Sequence, residues 1–597
     1  MKKNICIILI SLSVASAMAA ETYISNIYGR SYQILNGKWD AIVDLYDAGH
    51  QAKIYLNKKA IGETDFYEYS FENGLRLNVP GDWNSQSPEL KYYEGTVWYS
   101  RHFNAVSNDK HRYFLYFCGV SYRCNIYLNG ELIGSHEGSF TPFQIEVTGK
   151  LKQGDNNLIV EVNNHRQQDA IPALSFDWWN YGGITRDVML VTLPQTYISD
   201  YFIQLDKHQA NIIHAEISLS NEKAGETITL RIPDLAISVK MKTNNLGKAS
   251  KSFKVSKLQR WSPASPRLYD IEIESNTDKV CERIGFRNIE SEGNKILLNG
   301  KEIFLRSISF HEEIPQRMGR ACTPSDAEFL LSEAKALGVN MVRLAHYQQN
   351  EYIVRRAEEM GIILWQEIPV WQTIDFSNQE TLVKAQNMLR ETIKRDRNRC
   401  ADCFWGIANE TRPSKTRNHF LDELLQTGKS IDTTRLFVGA FDNVYFQQSS
   451  QCFEMHDEFI DKLDMIGVNK YMGWYAAWPL SPEKCIWKVA EKKPLFISEF
   501  GGEALYGQAG DETIASSWSE DYQAKLYRDN LTMFKGIPNL VGISPWVLFD
   551  FRSPTRFHPQ NQEGWNRKGL VSDQGQRKKA WYIIHNFYQQ MKQKYQE

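Results

Sequence analysis

Residues 404–410 read Phe-Trp-Gly-Ile-Ala-Asn-Glu, and residues 495–501 read Leu-Phe-Ile-Ser-Glu-Phe-Gly. Each is an apolar run of strand length that carries a glutamate, Glu410 or Glu499, at its far end. Continuous apolar runs of this kind suit strands buried on both faces, as in a parallel sheet covered by helices. Working outward, six further runs have the same character: Ile303–Ser309, Val339–Ala345, Ile362–Glu367, Arg435–Ala440, Met465–Lys470 and Leu540–Phe549. Helical patterns separate most of them. Thr323-Pro324-Ser325-Asp326 offers a capping threonine and a proline in the first turn, and apolar residues then recur at helical spacing to Leu337. Ser517 to Phe534 and Lys578 to Met591 also read as helices, and the fifth helix has the faintest pattern. Eight such units over residues 291–597 predict a (β/α)8 TIM barrel.

Upstream the rhythm is different. Residues 21–195 carry short alternating runs, such as Arg112–Phe117, Cys124–Leu128 and Asn157–Val162, separated by the turn residues Pro80-Gly81, Asn129-Gly130 and Gly154-Asp155-Asn156. Period-two alternation with turns at this spacing predicts a β-sandwich. Residues 196–290 alternate again, at Ile212–Leu219 and Thr227–Ile232, over a length that suits an immunoglobulin-like sandwich.

Composition narrows the function. The 597 residues are 42% hydrophobic and 23% charged, ordinary for soluble globular chains, which sets aside disorder, collagen and a multi-span membrane protein. A formal net charge of −2 offers nothing to draw nucleic acid. Aromatic residues reach 12%, which suits large β-domain cores and also the aromatic faces of a sugar site. Lys2 and Lys3, the apolar run Ile5–Val14 and Ala17-Met18-Ala19 read as a Sec-type leader over residues 1–20, too short to span a membrane. Export to the periplasm or the medium, with no membrane attachment after cleavage, is the expectation. Export permits disulfides, but the sequence assigns no pairs. Cys400-Ala401-Asp402-Cys403 has no second such pair and no His pair for a metal, and reads as structural.

In a TIM barrel the reacting groups sit at the C-terminal ends of the strands. Glu410 and Glu499 end the fourth and seventh, roughly opposed across the mouth. Two converging carboxylates are what glycosidic-bond cleavage needs: one protonates the leaving oxygen, and the other attacks the anomeric carbon or activates water. His311, His346, Asn469, Tyr471, Tyr475 and Trp546 stand at or near other strand ends and would line a polar, aromatic sugar pocket. The reaction requires no metal or other cofactor, and Glu312 and Glu313 beside His311 read as structural.

At these residues the chain resembles glycoside hydrolase family 2 over nearly its whole length: a sugar-binding jelly roll, an immunoglobulin-like domain and a TIM barrel. Val79–Asn84, Glu94–Tyr99, Asn129–Gly134 and Asn180–Ile184 resemble the family's first domain. Ala408-Asn409-Glu410 resembles its acid/base motif and Ile497–Gly501 its nucleophile motif. The resemblance implies Glu410 as general acid/base and Glu499 as nucleophile, with retention of configuration. It also implies Asn409 on the sugar 2-hydroxyl and Tyr471 near the nucleophile. Relatives commonly form dimers or tetramers, so a homo-oligomer is compatible with the sequence.

Asn566-Arg567-Lys568 resembles the Asn-x-Lys pair with which β-glucuronidases grip the C6 carboxylate of their substrate. An amide and an ammonium two residues apart can both face one carboxylate. Ser175–Gly183 resembles the segment by which the jelly roll reaches the barrel site, with Asp177 on a sugar hydroxyl. Asn469–Tyr475 resembles a further family stretch. One departure stands out: where some β-glucuronidases carry an arginine four residues before that asparagine, this chain has Gln562, with Arg552 and Arg556 in the preceding loop as substitutes. Helix one follows closely on His311, without the long insertion of some relatives, which favours an open site. The expectation is an exported, exo-acting, retaining β-glucuronidase. The alternatives are a β-galactosidase or β-galacturonidase of the same family and, more remotely, a non-catalytic carbohydrate-binding protein.

Overall fold

The computed structural model describes residues 23–596, apart from 61, 63, 65, 66 and 73. The stretch read as a leader lies outside the described residues. Among the described residues no helix is long and apolar enough to cross a membrane, and the cysteines are free thiols, Cys400 and Cys403 both buried.

The first unit is a sandwich of a six-stranded and a four-stranded antiparallel sheet. Alternation places Trp39, Leu77, Val97, Tyr99, Leu115, Ile126, Val160 and Leu190 between the sheets, where they form one buried core. The second unit is a smaller sandwich of three and four strands. Its core of Ile203, Ile217, Leu230, Ile271 and Ile273 comes from the same period-two pattern.

The third unit is a closed barrel of eight parallel strands: β1 Leu305–Phe310, β2 Met341–Leu344, β3 Ile363–Glu367, β4 Asp402–Asn409, β5 Leu436–Phe441, β6 Met465–Asn469, β7 Leu495–Glu499 and β8 Leu540–Ile543. Pairing of Leu305 with Gly542 closes the ring. Trp365 on β3 fills the interior, and room for it comes from missing side chains. A Cβ on Gly406 would meet its Nε1 at 2.4 Å, and one on Gly467 would meet its Cη2 at 2.9 Å. Both glycines are therefore required for this packing.

Three expectations need correction. The helices α1 Pro324–Leu337, α2 Glu351–Met360, α3 Gln379–Asp396, α4 Lys415–Ile431, α5 Glu520–Phe534 and α6 Lys579–Lys594 follow strands one to four, seven and eight, but no α-helix follows β5 or β6 among the described residues. A small sheet of Val444–Gln447, Cys452–Met455 and Ile486–Lys488 stands there instead. Its aromatic and β-branched residues favour strand over helix. Strand eight stops at Ile543 rather than Phe549, because Pro545 has no N–H to continue a ladder, so Trp546 lies just past the strand. Strands β4 and β7 are three places apart round the ring, with β5 and β6 between them, rather than opposed.

The first unit contributes to the barrel mouth. The chain between its strands Gly154–Asn163 and Val188–Pro194 crosses to the barrel, where Phe176 and Trp178 bury against Tyr347, Trp371, Trp546 and Phe551. Glu312 is held there by Arg186 at 3.0 Å, and the Glu313–Ile314 and Gly319–Arg320 hairpin is buried against Asp82. The segment after β1 is thus spent on the domain contact and does not arch over the mouth.

Candidate active site

The barrel mouth holds a cavity of about 740 Å³ lined by Glu410, Glu499, Tyr471, Asp177, Arg556 and Lys568 among others. On its floor, Arg343 rises from β2 with no exposed surface. Its Nη1 donates to Glu499 Oε1 at 2.7 Å, its Nη2 and Nε donate to Glu367 at 3.0 and 3.1 Å, and Nη2 also donates to Asn409 Oδ1 at 2.7 Å. Tyr471 donates to the other Glu499 oxygen at 2.7 Å. Burial lifts the pKa of Glu499, while Arg343 and Tyr471 hold the lift back by favouring the ionised form. His346 Nδ1 lies 2.6 Å from Glu367 Oε1. That carboxylate fixes the tautomer: Nδ1 carries the proton and Nε2 presents its lone pair, 3.8 Å from Glu499. Burial holds the pKa of His346 below its ordinary value, which keeps the ring neutral.

Glu410 has a different environment. It follows β4 with φ 51°, an uncommon backbone for a non-glycine residue and one found disproportionately at functional sites. Among the described residues its oxygens accept only from amides, Asn469 Nδ2 at 2.9 Å and Gln372 Nε2 at 2.8 Å. Burial first, and the neighbouring Glu499 second, push its pKa up to about 7. One cavity thus holds two carboxylates, both lifted by burial but with different partners: Glu499 beside a guanidinium that restrains the lift, and Glu410 with no ion-pairing cation among the described residues. This is the division of labour that a proton donor and a nucleophile require.

A second charged group lies across the mouth, on the β8 side. Lys568 Nζ donates to Tyr475 Oη at 2.7 Å, and Arg556 Nη1 donates to the same oxygen at 2.9 Å. Two cations therefore converge on one neutral acceptor that stands in the cavity wall. Each also has an anion: Lys568 lies 3.2 Å from Glu503, and Arg556 pairs with Asp177 through Nε and Nη2. Burial presses Lys568 towards neutrality, but Glu503, Tyr475 and Asp177 together outweigh it and raise the pKa. Asp177 is held below the usual carboxylate range by Arg556 despite its burial. The four charges cancel, so a ligand carboxylate would gain from directed hydrogen bonds rather than from a net positive field.

Comparisons with known proteins give the family. Residues 289–593 match the TIM barrel domain of glycosyl hydrolases family 2, residues 32–194 its sugar binding domain, and residues 196–287 a further family 2 domain. The chain belongs to glycosyl hydrolase family 2. Among its relatives, the β-glucuronidase of Bacteroides fragilis is 28% identical over 557 residues, 85% of this chain and 78% of the relative. The β-glucuronidase of Streptococcus agalactiae is 26% identical over 570 residues, 84% and 91% respectively. The solved β-glucuronidase of an uncultured Clostridium superimposes with a TM-score of 0.81 at 24% identity, covering 95% of this chain and 99% of that one, and so has the same fold.

The cavity gathers most of the residues singled out from the sequence. Glu410, Glu499, His346, Tyr471, Tyr475, Trp546, Asp177 and Lys568 all line the cavity. Asn409 is 3% exposed below the cavity; its Oδ1 is taken by Arg343 and Asn469, and its Nδ2 is buried without a hydrogen-bond partner among the described residues. Two more residues, like Asn409, do not line the cavity. His311 is 4% exposed behind the wall, packed against Trp178, Trp546 and Phe551 with Nδ1 at 3.2 Å from Tyr347 Oη. Asn566 is fully buried; its amide donates to Asp177 at 3.2 Å and its Oδ1 accepts the Lys568 backbone N–H, so it supports the cation pair rather than facing a ligand. Asp177 itself accepts from Ser553, Thr555, Arg556 and Asn566, which nearly exhausts its lone pairs. Of the two candidate arginines, Arg556 lines the cavity, while Arg552 is stacked between Trp179 and Trp565. Gln562 is turned onto Glu503 through two contacts of 3.1 and 3.0 Å. The sequence reading did not single out Arg343 or Glu503. A lone arginine inside the apolar strand Met341–Leu344 was a usable sign for the first; nothing local marked the second.

Proposed function

We propose that the protein is an exo-acting, retaining β-glycosidase that removes terminal β-D-glucuronic acid. The observation that carries the glucuronide reading is the convergence of Lys568 and Arg556 on Tyr475 Oη, at one end of a cavity whose floor holds Glu410 and Glu499. A sugar carboxylate placed there displaces a neutral phenol and accepts from both cations. The segment Phe176–Trp178 walls off that end, which suits a terminal sugar.

Glu410, protonated below its raised pKa of about 7, delivers its proton to the leaving oxygen. Glu499, ionised beside Arg343, attacks the anomeric carbon, and the bond to the leaving group breaks. Glu410, now a carboxylate, takes a proton from water as that water attacks the glycosyl ester. His346, in the cavity wall, supplies an acceptor, Nε2, to a sugar hydroxyl. The β-glucuronidase relatives support the same reading.

The test is kcat/KM of the wild type on matched aryl β-glucuronide, β-galacturonide and β-galactoside. The proposal predicts a glucuronide preference. Equal rates on the two uronides would broaden it to β-uronides, because the cation pair reads the carboxylate and not the C4 configuration. A preference for the galactoside would refute it.

A further inference from the structure

The cavity is longer than its glycone end. Round the mouth, Arg556 and Lys568 follow β8, whereas Glu410, Asp442 and Lys470 follow β4, β5 and β6 on the other side. On that second side the wall has three residues that the mechanism does not use. Tyr445 belongs to the small sheet that replaces the fifth helix, and the residue is 58% exposed at the cavity edge. Lys470 holds its ammonium 5.5 Å from the centre of that ring and donates to Val444 O at 2.7 Å. No carboxylate ion-pairs with it among the described residues. Asp442 stands close enough to act electrostatically on both Lys470 and Glu410.

From this arrangement we infer that Tyr445, Lys470 and Asp442 form a leaving-group subsite for a neutral, hydroxyl-rich sugar. The inference rests on the glycosidase reading above, and it names the class of bond cleaved: glycone to sugar, rather than glycone to a flat apolar alcohol. Three features favour a sugar. The wall lies on the side of Glu410, the group that protonates the leaving oxygen. An ammonium and a carboxylate side by side match neighbouring hydroxyls, each of which both donates and accepts. An exposed tyrosine face offers an apolar platform to the C–H face of a pyranose. A leaving group with a sulfate or carboxylate would place its charge near Asp442 and Glu410, and a flat apolar one would leave Lys470 and Asp442 desolvated without partners. The open mouth fits, because the segment after β1 is packed against the first unit and leaves this side uncovered.

The experiment compares kcat/KM on two substrates with the same glycone: the methyl β-glycoside and the β-linked disaccharide with a neutral hexose. It uses the full-length protein and whichever glycone the wild type accepts, so a wrong glycone assignment does not mask the result. The inference predicts a wild-type preference for the disaccharide, reduced about three- to tenfold in Tyr445→Ala and retained in Tyr445→Phe. Lys470→Ala should reduce the same ratio. Circular dichroism of each variant checks that it is folded; Tyr445 is exposed, so its variants should be. A wild-type ratio near one, or a ratio that neither Tyr445→Ala nor Lys470→Ala changes, overturns the subsite. A failure of the glucuronide reading would appear instead in the identity of the glycone.

Discussion

The floor and the rim of the cavity are built by different means. On the floor, Glu499, Arg343, Glu367 and Asn409 stand on β7, β2, β3 and β4, and Arg343 ties the other three together. On the rim, Asp177 comes from the first unit, Glu503 from the segment after β7, and Arg556 and Lys568 from the segment after β8. The floor is a network of buried charges centred on Arg343 and carried by barrel strands. The rim is a set of loop-borne ion pairs brought together only by the assembled domains. In physical terms, the bond-breaking chemistry belongs to the barrel and the choice of sugar to the loops, so changes at the rim should alter selectivity without stopping the chemistry.

The sharpest way to break this division is on the floor. Glu499→Gln should lower kcat/KM on the order of 10⁴–10⁶-fold on every substrate, measured with an activated aryl glycoside. A loss confined to uronides would contradict the division. Next is Glu410→Gln, expected to cost ~10²–10⁴-fold with a poor leaving group and less with an activated one, which needs no proton. The pH profile sharpens the same point. Glu410 must be protonated, so activity is present below its pKa and lost as pH rises through about 7. Glu499 must be ionised, so activity falls again on the acid side, above the ordinary glutamate value because its pKa is raised. The kcat/KM profile of the wild type should be a bell, and the basic limb should vanish in Glu410→Gln.

Arg343→Met tests whether the floor is also structural. It leaves Glu499 and Glu367 buried without their cation, and a loss of ~3–5 kcal/mol in unfolding free energy is expected in denaturant melts. The smallest effect belongs to the rim. Arg556→Gln removes one charged hydrogen bond to the substrate carboxylate, about 1.5–3 kcal/mol. Because Asp177 already neutralises Arg556, the lower end, roughly tenfold in uronide kcat/KM, is expected.

Legibility in the sequence followed the same division. The barrel, both sandwiches, Glu410 and Glu499 were readable because apolar strands ending in a carboxylate are a local pattern. Tyr471, Tyr475 and Trp546 followed from their nearness to strand ends, although Pro545 ended β8 earlier than its apolar run suggested. His311 and Asn566 have the right residue types at the right ends, but burial turned one behind aromatic rings and spent the other on Asp177. Arg556 and Glu503 owe their roles to partners hundreds of residues away or on neighbouring loops, and spacing alone does not encode such contacts. The small sheet after β5 was likewise hidden, since short aromatic runs there are compatible with a faint helix.

The most direct test is the effect of Lys568→Ala on kcat/KM for a matched aryl β-glucuronide and β-glucoside, which differ only in the carboxylate. The account predicts a glucuronide loss of about ten- to 150-fold with the glucoside rate changed far less, the signature of a rim that selects and a floor that reacts. An equal fall on both substrates would contradict it, and would place Lys568 in the support of the catalytic floor instead.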